Sequence, residues 1–292
     1  MPDLDQTTVS MKNRGQYKEI WRRFKKNKGA LLGLGFIALL VVCALLPKLI
    51  APYGFDDQQL SRRFQSPSWQ YPFGTDEYGR DIFSRVIYGC RISLTLGLVS
   101  VTISCLFGLI LGCIAGYYGK IVDNIIMRVI DVMLSIPNIL LAVSIVAALG
   151  PSFFNLMLAI GIGAVPGYAR VVRASILSVK EQEYIEAARS NGAGDFHIIM
   201  RHIIPNCMAP IIVQATMSIA TAILSAAGMS FIGLGIMPPT PEWGSMLASG
   251  RAYIRDYWYV VTFPGLAIML TVFSINLLGD GLRDALDPRL KS

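Results

Sequence analysis

The chain has 292 residues, 53% of them apolar and only 15% charged, with 26 Lys and Arg against 19 Asp and Glu for a net charge of +7. A soluble domain of this length carries more charge, so the composition excludes an ordinary water-soluble enzyme and indicates an integral membrane protein. The basic excess is a topology and lipid-headgroup signal; without a soluble basic domain or basic-aromatic interleaving it does not make a nucleic-acid partner.

The N-terminal segment carries Lys12, Arg14, Lys18, Arg22, Arg23, Lys25, Lys26 and Lys28 against Asp3, Asp5 and Glu19, which predicts a cytosolic N-terminus. Tyr17, Ile20, Trp21 and Phe24 recur at i, i+3, i+4 and i+7, the pattern of an amphipathic helix lying in the membrane interface. Six apolar stretches follow, near Ala30–Leu49, Ile92–Gly116, Ile130–Leu149, Phe153–Ala169, Ala209–Ile236 and Tyr259–Leu278. Each approaches the roughly 20 helical residues that cross a hydrocarbon core of about 30 Å. Lipid cannot pair free backbone groups, and the runs lack the alternation of a barrel, so the fold class is all-α with six transmembrane helices. The first run begins near residue 30 and has span length, so no cleavable signal peptide is expected. An even number of spans returns the C-terminus, with Arg283, Arg289 and Lys291, to the cytosolic side. The expected division is residues 1–29 as a cytosolic N-terminus with its interfacial helix, 30–91 as the first span and an external loop, and 92–292 as the core. An inner loop is expected at about 174–207 within that core.

The external loop balances Arg62, Arg63, Arg80, Arg85 and Arg91 against Asp56, Asp57, Asp76, Glu77 and Asp81. In its run from Phe73 to Arg85, Gly74 and Gly79 permit turns, and Thr75 or Asp76 is positioned to cap a short helix. Asp76, Arg80 and Asp81 form a charge cluster on the outer rim, of the kind that is more often a structural ion pair than a ligand site. Further along, Arg128 and Asp131 are expected to pair on one helical face. Pro137 and Pro166 are expected to interrupt the third and fourth spans as bends beside a pore, and Gly228, Gly233 and Gly235 to allow close helix approach at a subunit seam. Cys43, Cys90, Cys105, Cys113 and Cys207 form no disulfide framework. Gly119-Lys120 is not a phosphate loop, because residue 114 is Ile and Ile121 follows; any ATP must be handled by a partner. His197 and His202, five apart on a helix, are expected about 140° from each other and unable to chelate a metal together.

Between the fourth and fifth stretches lies a polar, helix-patterned segment. Glu181, Glu183 and Glu186 put negative charge where a helix start favours it, Ala187 and Ala188 leave a smooth face, and Gly192 can end the helix in a left-handed cap. A turn through Gly194 and Asp195 then starts a second helix, Phe196 to Ile204, which Pro205 is expected to stop. The spacing of Glu186-Ala187-Ala188, Gly192 and Pro205 resembles the EAA loop by which permease subunits of ABC importers dock into their ATPases. His202 departs from the general pattern, which has an aliphatic residue there, but is similar to the peptide-type branch. The run Gly74-Thr75-Asp76 to Gly79-Arg80-Asp81 and on to Ser84-Arg85 is similar to one in the peptide and nickel branch of these permeases.

The resemblance covers nearly the whole chain, including Pro238 to Gly244 and Gly279 to Pro288, and is to the second permease subunit of a dipeptide or oligopeptide importer. It implies a type I importer permease fold in a bacterial plasma membrane and a non-catalytic subunit. The implied partners are a homologous permease forming a heterodimer, two ATP-binding subunits that carry ATP and Mg, an extracytoplasmic solute-binding protein and membrane lipid. The resemblance assigns ATPase coupling to Glu183, Glu186, Ala187, Ala188, Gly192, Asp195 and Pro205. Polar span residues Asn138, Ser144, Gln214, Thr221 and Asn276 are candidates for the pathway, although small polar groups also bridge helices. Glutathione and nickel complexes are alternative substrates. A secondary transporter would need coupling-ion acids within the bilayer, and Asp131 and Asp280 sit near span ends. An embedded enzyme would need more than scattered serines such as Ser144 and Ser225 without a span histidine.

Overall fold

The computed structural model describes residues 18–286. Tyr17, Lys12, Arg14, Asp287, Pro288, Arg289 and Lys291 lie outside the described residues, so the interfacial helix is seen only from residue 18 to residue 24. Trp21 and Phe24 stack there at 5.7 Å, and Phe24 is buried against Ala30 and Ala285.

Helix α1 (Lys28–Leu45) begins where the Asn27 side chain accepts a hydrogen bond from the Ala30 amide at 3.1 Å, pairing one of the amides that a helix start leaves free. After a loop, α2 (Ile82–Tyr118) runs for 37 residues. It starts earlier than the expected Ile92, because Asp81 caps it and Ile82, Val86, Ile87 and Cys90 pack against Trp243 and Tyr259. Gly119 turns the chain at φ 65° into α3 (Lys120–Ser135), which is followed by α4 (Asn138–Leu149). Then come α5 (Phe153–Lys180), the short α6 (Glu183–Ser190), α7 (Asp195–Phe231), α8 (Trp243–Gly250) and α9 (Tyr259–Leu286).

Five of these, α1, α2, α5, α7 and α9, are long and apolar enough to cross a membrane, and α3 with α4 makes a sixth if a 90° bend between them is counted within one span. The expected interruption of the third span at Pro137 thus takes the form of a broken pair. Ile136 precedes a proline and takes φ −97° and ψ 127°, and Pro137 itself is extended at ψ 130°; proline clashes with a helical conformation in the residue before it. Pro166, in contrast, leaves α5 unbroken. The expected Arg128–Asp131 pair does not form: Asp131 meets Arg170 of α5 at 2.6 Å, and Asp123 takes a two-pronged contact from Arg173 at 2.5 and 2.6 Å. Both pairs tie α3 to α5 rather than stabilising α3 alone. All five cysteines are unpaired.

The bundle has two distinct ends, a loop end and an elbow end. At the loop end, the segment after α1 folds down as a cap, with Phe64 stacked on Tyr257 at 4.1 Å and Phe73 on Phe263 at 3.9 Å. At the elbow end, Ile176, Ile185, Ile198, Ile203 and Ile211 pack with Cys113, Tyr117 and Val172. A middle layer joins α2, α4, α5 and α7 through Leu96, Val101, Ala142, Leu156 and Met229.

Lipid supplies little hydrophobic drive between helices, so their association depends on close packing at small residues. The α2–α5 seam has that form. A Cβ on Gly112 would lie 2.6 Å from the Ala169 carbonyl oxygen, and one on Gly116 would lie 3.0 Å from Ile176, while Gly108 abuts Tyr168. Gly161 of α5 meets Ile103 of α2 in the same way, whereas Gly228, Gly233 and Gly235, expected at a seam between subunits, take no part in this one. Gly228 has only Ile139 nearby at 3.8 Å, and Gly233 adopts a positive φ just past the end of α7.

Candidate functional site

At the elbow, α6 carries Glu183 and Glu186 in its first turn and Arg189 in its last, the order that the helix dipole favours. Ile185 alone is fully buried; Glu183, Glu186 and Ala187 are exposed, and Ala188 is half-buried against the elbow core. One polar, small-residue face thus points outward from an anchored helix. Gly192 stops the helix at φ +81°, with its own amide bonded to the Arg189 carbonyl at 3.0 Å and the Ala193 amide to the Ala188 carbonyl at 3.1 Å. These are the paired bonds of a left-handed C-terminal cap. Asp195 then occupies the first turn of α7, where its carboxylate accepts a hydrogen bond from the Tyr117 phenol at 2.5 Å.

Pro205 does not stop the second helix, contrary to expectation. The backbone widens to a π turn over Ile199–Ile203, where the Ile204 amide bonds the Ile199 carbonyl, and the helix continues through Pro205 and Pro210 to Phe231. The wider turn makes room for a ring that would otherwise crowd the preceding turn, and the Asn206 side-chain amide donates to the His202 carbonyl at 2.6 Å. The same π turn overturns the expected 140° separation of the histidines. Residues five apart now share a face, and the His197 and His202 rings lie 5.7 Å apart.

The loop-end rim is a knot of buried charge. Asp76 accepts from the amides of Tyr78 at 2.9 Å and Arg80 at 3.0 Å and from the Arg80 guanidinium at 2.7 Å, with Arg85 3.7 Å away. Arg85 donates to the carbonyls of Phe55 at 2.7 Å and Pro239 at 3.2 Å, tying two loops to α2. Neither Thr75 nor Asp76 caps a helix. Thr75 holds the Gln65 amide and the Arg62 carbonyl, and Asp81 is the cap, accepting from the Ser84 amide at 2.8 Å. Gly74 and Gly79 both turn at positive φ. Burial pushes the Asp81 carboxyl up, and burial together with the Asp76 charge does the same to Glu77. With its polar groups turned inward on one another, the rim clamps the loop onto the bundle.

Between α2, α4, α5 and α7 lies a cavity of about 100 Å³, enough for a few waters. Ser100, Ser104, Asn138, Ser218, Thr221 and Ser225 supply its polar lining, which holds no charged side chain. The Ser100 hydroxyl is buried without a partner among the described residues. Of the candidate pathway residues, Asn138 and Thr221 line this cavity. Gln214 reaches it only indirectly, 3.4 Å from the Ser218 hydroxyl, while Ser144 is exposed on α4 and Asn276 lies on α9 away from it. Ser100, Ser104 and Ser218 were missed as candidates because serines are common in apolar helices; their spacing by about one turn on α2 and α7 is the signal that points to a shared face.

Comparisons with known proteins agree with this geometry. Residues 108–292 match the model of the family described as binding-protein-dependent transport system inner membrane component, and residues 15–67 match the N-terminal TM domain of oligopeptide transport permease C. The chain is 50% identical over 281 residues to the di/tripeptide transport system permease protein DppC of Pseudomonas aeruginosa, covering 94% of this chain and 93% of the relative. It is 48% identical over 282 residues to the glutathione transport system permease protein GsiD of Escherichia coli, covering 95% and 92%. Among solved structures, the inward-facing MetNI methionine ABC transporter aligns over 70% of this chain and 98% of its own with a TM-score of 0.57 at 22% identity, a likeness of fold. The chain therefore belongs to the binding-protein-dependent transport system inner membrane component family, as a multi-pass, non-catalytic permease subunit of a bacterial ABC importer whose ATP is hydrolysed by partner ATPases.

Proposed function

We propose that this chain forms half of the pathway by which di- or oligopeptides enter the cell, paired as a heterodimer with a homologous permease. Two ATP-binding subunits dock on the elbow, an extracytoplasmic binding protein delivers solute at the loop end, and lipid surrounds the remainder. The observation that carries the peptide reading is the 50% identity, along nearly the full length of both chains, to a di/tripeptide permease. The glutathione relative at 48% supports a second reading in which the cargo is that γ-linked tripeptide. Proteoliposomes holding the chain with its permease partner, ATPases and binding protein test both. Uptake of labelled dipeptides driven by internal ATP is expected; uptake of glutathione alone selects the second reading.

In this reading the elbow end is cytosolic, with both termini, and the loop end is external, the first 29 residues and the core from residue 92 flanking the first span and its loop. Glu183, Glu186 and Ala187 form the face offered to the ATPase, while Ala188, Gly192, Asp195 and Pro205 shape and anchor the helix that bears it. Asn138 and Thr221, with the serines beside them, face the solute path. Gly74, Thr75, Asp76, Gly79, Arg80 and Asp81 hold the external cap in shape. In a cysteine-free background, a cysteine at the exposed Trp69 should react with an impermeant maleimide from outside and one at Gly192 only from inside. Labelling of residue 192 from outside would reverse the orientation.

A further inference from the structure

The elbow and two long helices converge on the Tyr117 side chain. It is the penultimate residue of α2 and is only 4% exposed. Its phenol donates to the Asp195 carboxylate at the start of α7, at 2.5 Å, and receives a longer contact of 3.4 Å from the guanidinium of Arg189 in the last turn of α6. Lys180, the last residue of α5, donates its ammonium to the Tyr117 carbonyl. The Lys180 and Arg189 cations lie 5.7 and 5.9 Å from the Tyr117 ring centre, within cation–π range. The ring packs into the same core as Ile185, the single fully buried residue of α6, and Ile198 and Ile203 of α7.

We infer that Tyr117 is the positioning residue of the lever: its phenol ties the end of α2 to the first turn of α7, directly after the Gly192 turn that closes α6, so that a push on the outward face of α6 moves α2 and α5 together. The argument rests on the proposed docking of the ATPases at the elbow. The geometry favours this joint for three reasons. The short α6 has little hydrophobic anchorage of its own, so polar contacts must fix its angle. A phenol–carboxylate hydrogen bond is charge-assisted and directional, and stronger than a neutral one. The far side of the joint is stiff, because α2 and α5 are interlocked at Gly108, Gly112 and Gly116 directly above it. Motion delivered at Tyr117 therefore passes along α2 toward Ser104 and Ser100 at the cavity instead of being absorbed locally.

The test uses the full importer in proteoliposomes, with dipeptide uptake and ATP hydrolysis measured side by side. Tyr117→Phe keeps the ring in the elbow core and removes only the hydroxyl. The expected result is about a tenfold fall in dipeptide carried per ATP hydrolysed, the scale of one charge-assisted hydrogen bond, with an unchanged KM for ATP and normal co-purification of the ATPases. Asp195→Ala should reproduce the loss and Asp195→Asn, which keeps an acceptor oxygen, should restore part of it. The double variant Tyr117→Phe/Asp195→Ala should be no worse than either single one, because both remove the same contact. Wild-type coupling in Tyr117→Phe, additive losses in the double variant, or dissociation of the ATPases from Tyr117→Phe would each overturn the assignment. If the wild-type complex hydrolyses ATP without carrying dipeptide at all, the proposed function fails instead, and the two failures are distinguishable.

Discussion

At Gly192 a single backbone angle decides how the elbow turns. A Cβ there would meet nothing within 4 Å, so the cost of a side chain is the left-handed conformation itself, φ +81°, and not a clash. That cost is about 1–2 kcal/mol for an L-residue, smaller for Asn, whose side chain tolerates the region. Gly192→Ala should therefore loosen the elbow more than Gly192→Asn, read as faster limited proteolysis between α6 and α7; equal rates would mean that the cap is not what orders the turn. At the rim, two carboxyls are shifted upward rather than downward. Asp81 and Glu77 have carboxyls raised above their ordinary values of 3.8 and 4.5 by burial, with the Asp76 charge adding to the effect at Glu77. A raised folded value means that the fold binds the proton more tightly, so the stability these groups contribute is present below the ordinary values and is lost as pH rises through the window above them. Protease resistance of the loop between α1 and α2 should fall as pH rises through that window. Asp81→Asn, which can still cap α2, should flatten the dependence, and an unchanged slope would remove Asp81 as a cause.

Prolines in apolar stretches mark the limit of reading elements from sequence. Pro137 breaks a helix by 90°, whereas Pro166, Pro210 and Pro264 are carried inside continuous ones. The residue type states that one backbone amide is missing; whether the helix breaks depends on neighbours that satisfy the freed carbonyl, and those are tertiary facts. The π turn before Pro205 is the same lesson, since one wider turn rotated His202 onto the face of His197. Hydropathy located the spans well because length and apolarity are local. It missed the first turns of α2, where Arg85 and Ser84 are buried by the loop-end cap rather than by lipid. The seam glycines were also in view without a sign of their partner helix. Gly112→Ala should force α2 and α5 apart against a backbone carbonyl and lower the stability of the purified chain by about 1–3 kcal/mol. Gly35→Ala on α1, with nothing within 4 Å, should be close to neutral in the same detergent unfolding assay. Similar losses at both positions would argue against a tight α2–α5 seam.

Across the molecule, α2 is a single rod of about 55 Å that begins at the Asp81 cap, lines the cavity with Ser100 and Ser104 and ends at Tyr117. Sequence reasoning recognised the elbow and the rim as separate motifs on opposite sides; that one helix joins them through the cavity followed only from three-dimensional packing. The elbow could be read because its parts are consecutive, while the cavity could not, because its lining is drawn from four helices. The arrangement makes a specific demand on Glu186, which is exposed in the first turn of α6. Glu186→Lys should leave membrane insertion and the fold intact, costing the isolated helix a few tenths of a kcal/mol through its dipole. Yet it reverses the charge on the face offered to the ATPases. In proteoliposomes, both dipeptide uptake and binding-protein-stimulated ATP hydrolysis should fall together, while dipeptide binding by the isolated binding protein stays unchanged. This differs from Tyr117→Phe, where hydrolysis continues and the dipeptide carried per ATP falls about tenfold. If Glu186→Lys sustains wild-type uptake with a full complement of bound ATPases, the outward face of α6 is not the docking surface, and the contact must be sought elsewhere on the elbow end.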